Sequence, residues 1–78
     1  MIGKKKKKEI DKKFWHGFSN DLYRYDSSEY EKLEGYFKGY SNGLLQAGVY
    51  DIQEHIRITN RVTTLINQER AMREKRSV

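Results

Sequence analysis

The sequence predicts an all-α protein of three helices, and three observations carry that prediction. The 78-residue chain contains no proline, the residue that most reliably ends or kinks a helix. Its apolar residues recur at steps of three and four rather than in strict alternation. Gly48, Asp51 and Glu54 write a helix stop and a helix start almost side by side, as an αα-hairpin requires.

The first helix is predicted over residues 9–24. Ile10, Phe14, Phe18 and Leu22 fall four apart with Trp15 beside them, one face of an amphipathic helix that Gly17 weakens slightly. Residues 1–8 ahead of it form a low-complexity lysine leader and are expected to be disordered. Tyr25-Asp26-Ser27-Ser28 breaks the pattern and supplies N-cap oxygens, with Ser28 and Glu31 at capping-box spacing and Asp26 and Glu29 as a second register.

The second helix is predicted over residues 29–47. Tyr30, Leu33, Phe37, Tyr40, Leu44 and Ala47 follow a 3-4-3-4 spacing, the seam of helices packed at shallow angles. Nearly opposite lie Gly35, Gly39 and Gly43, one glycine every fourth residue. Each interior glycine costs about 0.8–1 kcal/mol relative to alanine, so the stripe costs about 2–3 kcal/mol, much of a small domain's margin. Two accounts offset that cost. The glycines make room for the first helix within one chain, or they admit a helix of another chain.

Gly48 suits a left-handed C-cap, and the capping-box pair Asp51 and Glu54 opens the third helix, predicted over residues 52–74 with frayed last turns. Ile52, Ile56, Ile58, Val62, Leu65 and Ile66 give it a wide apolar arc. The basic residues near its end complement the helix dipole.

The net charge of +5 is unevenly spread. Residues 1–13 carry all of it, and the remaining residues sum to zero, divided as −3 over residues 14–51 and +3 over residues 52–78. Such a division favours head-to-tail or antiparallel self-contact as well as polyanion binding. A nucleic-acid surface, if the chain has one, is predicted at Lys4, Lys5, Lys6, Lys7, Lys8, Arg57, Arg61, Arg70, Arg73 and Arg76. The Gly48 turn does not fit helix-turn-helix spacing, because Leu44 is large and Glu54 is charged.

Catalytic patterns are missing from the sequence. There is no cysteine, hence no thiolate zinc site or thiol nucleophile. His16 and His55 stand alone without metal-ligand spacing, and His55 reads as a satisfied, partly buried histidine. No nucleophile elbow or phosphate-binding glycine loop occurs. The expectation is a protein that is not an enzyme and needs no cofactor or metal. No signal peptide or stretch of ~18 apolar residues occurs, so a cytoplasmic location is expected.

The stretch from Gly39-Tyr40 through Leu44-Leu45-Gln46-Ala47-Gly48-Val49-Tyr50-Asp51-Ile52-Gln53-Glu54-His55 resembles small all-helical proteins of bacteriophage and prophage early regions. There a leucine-rich helix ends in Ala-Gly and a capped acidic turn opens the next. The resemblance implies a regulator or inhibitor that binds a host protein, or an accessory of phage DNA metabolism, and it assigns no residue a role. Together these readings predict a single helical domain, residues 9–78, that homodimerises and binds protein through Gly35, Gly39, Gly43, Tyr36 and Tyr40. The six tyrosines bunch between residues 23 and 50, either as interface area or as the rim of a small core. The alternative is a nucleic-acid accessory protein using the basic residues named above.

Overall fold

The computed structural model describes residues 3–76. Its helices are α1 (Lys4–Arg24), α2 (Tyr30–Gln46) and α3 (Ile52–Arg76), with a single 3-10 turn at Ser27–Glu29 leading into α2. No strand occurs among the described residues. Helix α2 runs antiparallel to α3, since Glu34 meets Thr63 at one end and Ser41 meets His55 at the other. Helix α1 runs parallel to α3, with Lys7 paired to Glu54 and Arg73 bonded to the last turn of α1. The result is an up-down-up bundle with extents of 50 × 19 × 16 Å.

The core is aromatic where α1 meets α2 and aliphatic on α3. Phe14, Phe18, Tyr30, Leu33, Phe37, Tyr50, Ile58, Val62 and Ile66 are buried, with Trp15, Leu22, Leu44, Val49 and Leu65 packed around them. Phe37 meets Phe14 at 5.4 Å and Phe18 at 5.2 Å between ring centroids, both edge to face, the arrangement that ring quadrupoles favour. Burying one such side chain contributes about 1.5–3 kcal/mol.

The hairpin between α2 and α3 forms as its residues predict. Gly48 has φ of +79°, the left-handed region open to glycine without a Cβ clash. The Val49 amide donates to the Leu44 carbonyl at 2.9 Å and the Gly48 amide to Leu45 at 3.1 Å. That pair of bonds is a Schellman motif, and Leu44 and Val49 are its apolar clasp. The Glu54 amide then donates to Asp51 Oδ1 at 2.8 Å while the Asp51 amide donates to Glu54 Oε1 at 3.0 Å. This is a reciprocal capping box.

Several expectations need correction. Lys4–Lys8 belong to α1 rather than to a disordered leader; lysine is a good helix former, and Lys7 gains a partner in Glu54. Met1 and Ile2 of that leader lie outside the described residues. Neither capping box forms at the entry to α2, because the 3-10 turn satisfies the local backbone and no side chain caps it. Helix α3 continues to Arg76, two residues beyond the predicted end. The buried seam of α2 runs through Ser41, whereas Tyr40 and Ala47 are exposed. Ile52 and Ile56 also lie on the surface, so the arc of α3 that packs is narrower than its apolar residues suggest.

Candidate interaction surface

Helix α2 turns Tyr30, Leu33, Phe37 and Ser41 inward, which leaves Gly35, Gly39 and Gly43 on the surface. A methyl group added at any of the three would meet nothing within 4 Å. The stripe therefore makes no room for α1, and the intramolecular account of it is overturned. The helical glycine that does face another helix is Gly17, where an added methyl would lie 4.0 Å from the Phe37 ring, ordinary contact distance.

Tyr36 and Tyr40 stand beside the open stripe. Tyr36 is 64% exposed, yet its ring sits edge-on to Phe37 at 4.9 Å and edge-on to Tyr40 at 6.4 Å. Tyr40 stacks on Phe37 with an interplanar angle of 11° and meets Phe14 edge-on at 5.2 Å. Both rings are thus held by the core while presenting area to solvent, which reduces the entropy lost when a partner covers them. Alongside Tyr36 a groove of about 440 Å³ opens between α1 and the start of α2, lined by Asp21, Tyr25, Glu29, Lys32 and Leu33. The other tyrosines divide: Tyr23 is exposed, whereas Tyr30 and Tyr50 are buried.

The basic residues do not form one patch. Lys4–Lys8 on α1 lie at the same end of the bundle as Arg57 and Arg61 on α3, because the two helices are parallel. Arg70, Arg73 and Arg76 are at the far end, with Arg73 about 24 Å along α3 from Arg57 at 1.5 Å per residue. Arg73 is moreover committed to the fold. Its guanidinium donates to the carbonyls of Tyr25 at 2.5 Å, Leu22 at 3.1 Å and Tyr23 at 3.1 Å, and to Glu69 at 3.2 Å. It satisfies the carbonyls that the last turn of α1 leaves without amide partners. Arg73 and Arg70 also lie 5.3 and 5.7 Å from the centroid of the buried Tyr30 ring. Burial raises the Tyr30 hydroxyl above its ordinary range, with the Arg73 charge opposing. Treating Arg73 as a free phosphate contact is therefore a misreading that only the fold exposes.

Two polar pairs inside the bundle escaped the sequence. The Oγ of Ser41 lies 2.8 Å from His55 Nδ1, a spacing a nucleophile and its base could share. Ser41 is fully buried, however, and the bond satisfies two polar groups at the α2–α3 seam. His55 accordingly has the structural role its place on the apolar arc suggests. Tyr50 donates to Asp11 Oδ1 at 2.5 Å, tying the hairpin to α1. Burial and then the Asp11 bond push its phenol well above the ordinary range. No periodicity joins Ser41 to His55 or Tyr50 to Asp11, so neither pair has a signal in the sequence.

No three His, Asp or Glu side chains among the described residues gather as a metal site, and no described helix is long and apolar enough to cross a membrane. The chain is all-α by its structure, and no family model, curated protein or solved structure matches it.

Proposed function

We propose that this protein is a non-enzymatic interaction module whose outward α2 face binds a helix of another chain, with a second copy of itself as the first partner. One observation carries the reading: three helix-weakening glycines lie open beside two core-anchored tyrosines, and no described residue packs against them. Lys32, Gly35, Tyr36, Gly39, Tyr40, Gly43 and Ala47 share this side at 100° per residue. With a single charge among them, close approach desolvates little that is charged.

The order of the residues is self-complementary. Set two α2 helices antiparallel, with Gly39 of one against Tyr40 of the other. Tyr36 then falls against Gly43, and the twofold axis repeats both contacts. Tyr36 and Tyr40 each meet a glycine, and the two helix dipoles are opposed, positive end beside negative end. A single helix pair buries less than the ~800 Å² per partner of a standard interface, so the association is weak and concentration-dependent.

Such a module acts by occupying a partner's helix, which is how a small regulator or inhibitor works. A phage-type role would make the eventual partner a host protein, but the reading does not rest on it. Sedimentation equilibrium over a wide concentration range tests it. The native chain should associate, and Gly39→Leu should remain helical while becoming monomeric. A folded Gly39→Leu variant with unchanged association contradicts the proposal.

A further inference from the structure

We propose that the groove between the first halves of α1 and α3 binds single-stranded nucleic acid, a surface distinct from the α2 face and independent of it. Lys4, Lys8, Asp11 and Trp15 repeat at steps of four, three and four on α1. Glu54, Arg57, Ile58 and Arg61 do so at three, one and three on α3. Each set shares one helix face, and the parallel packing brings the two faces together. Asp11, Trp15, Glu54, Arg57, Ile58 and Arg61 line a groove of about 180 Å³.

The groove's acids are already bonded. Asp11 accepts the Tyr50 hydroxyl, and Glu54 accepts the Lys7 ammonium and the Asp51 amide. Arg57 and Arg61 line the groove with those two carboxylates, and Lys7 is paired to Glu54. Lys4 and Lys8 continue the face of α1 that carries Asp11 and Trp15, so cations outnumber the two acids at this end of the bundle. The folded chain thus concentrates here a charge that the sequence distributes between its two ends.

The occupant is chosen by Trp15. A polyanion without bases needs only the cations. Here a half-buried indole lines the groove with the Arg61 guanidinium over its ring, 6.0 Å from the centroid, so a base stacking on that face takes the guanidinium's place and leaves it to the phosphate. Aromatic side chains beside a cationic track are how proteins hold unpaired bases, because every base has a face to stack and each nucleotide brings a phosphate. A duplex hides its base faces and gives the indole nothing to stack on. The geometry therefore favours a single strand with its phosphates along Lys4, Lys8, Arg57 and Arg61 and a base at Trp15, without a sequence preference.

Trp15 is the only tryptophan in the chain, so its emission reports on the groove directly. The full-length protein is titrated with a short, labelled, mixed-sequence single-stranded DNA, following label anisotropy and indole fluorescence. Four phosphate contacts predict an affinity about 50-fold weaker at 200 mM than at 50 mM salt, with indole emission quenched at saturation. Arg57→Ala with Arg61→Ala should weaken binding by about tenfold or more, whereas Arg70→Ala with Arg76→Ala at the far end should change it less than about twofold. Circular dichroism checks each variant. If the first pair disturbs the fold, Lys4→Glu with Lys8→Glu, two exposed residues further along the same face of α1, makes the same comparison. Absence of binding at 50 mM salt overturns the proposal, as does equal loss from both ends of the bundle. Equal affinity for duplex DNA, inorganic polyphosphate or anionic vesicles, with indole emission unmoved by the oligonucleotide, overturns it too.

Discussion

Arg73 ties two helices together, because one guanidinium closes the end of α1 from α3. Its fork reaches three carbonyls within the span from Leu22 to Tyr25 and still bonds Glu69 on its own helix. Charged hydrogen bonds contribute about 1.5–3 kcal/mol each and do not add fully. Arg73→Ala should therefore lower stability by about 2–3 kcal/mol in urea unfolding. Arg73→Lys should recover only part, since an ammonium cannot reproduce the planar fork. A loss no larger than that of Arg76→Ala would contradict this role. The sequence offered Arg73 as one of several basic residues near a helix end, where dipole complementarity was reason enough for it. That it reaches another helix depends on α1 and α3 being parallel, which no local pattern encodes. Ser41 was hidden for a similar reason, because a seam read from apolar residues alone steps over a serine satisfied by a histidine.

At the scale of the element, the hairpin was the most legible part of the molecule and the start of α1 the least. Gly48, Asp51 and Glu54 each act through backbone groups within a few residues, so their chemistry is local and the sequence states it in full. The beginning of α1 depends on Lys7 finding Glu54 across the bundle, a contact between distant parts of the chain. The glycines of α2 separate the two situations experimentally. Gly39 lies in open helix, so Gly39→Ala should raise the stability of the dilute monomer by about 0.8–1 kcal/mol. Gly48 has positive φ, so Gly48→Ala should lower it by about 1–2 kcal/mol. Thermal or urea unfolding reads both, and a destabilised Gly39→Ala monomer would show that the stripe is packed after all. The candidate site was legible as a pattern of glycines and tyrosines. Its openness was not, because whether α1 covers the stripe is decided by the three-dimensional arrangement.

Across the whole molecule, carboxylates take part in the contacts that hold both neighbours of α3. Glu34 of α2 accepts from Thr63 and is paired within its own helix to Lys38, and Glu54 of α3 is paired to Lys7 of α1. Lys38, and then a hydrogen bond from Thr63, hold the Glu34 carboxyl below its ordinary range. Lys7, and then the Asp51 amide, do the same for Glu54. Both carboxyls have lower values in the folded than in the unfolded chain, so the unfolded state binds more protons as the medium turns acid. Their contribution is present in full above the ordinary carboxylate value of 4.5. It is lost as pH falls through the lowered folded values. Unfolding free energies measured from neutral pH down to acid should therefore decline less steeply in Glu34→Gln with Glu54→Gln than in the native chain. An unchanged decline would deny these pairs a role.

The three helices thus leave one nearly uncharged face, on α2, with tyrosines and glycines in an order that can mate with itself. Sedimentation equilibrium of a residue swap tests that claim most directly. Gly43→Tyr alone sets tyrosine against the Tyr36 of the second copy and should abolish association. Adding Tyr36→Gly to the same chain restores one tyrosine opposite each glycine and should restore association. A doubly substituted chain that stays folded and monomeric, or a singly substituted one that associates like the native protein, would contradict the account.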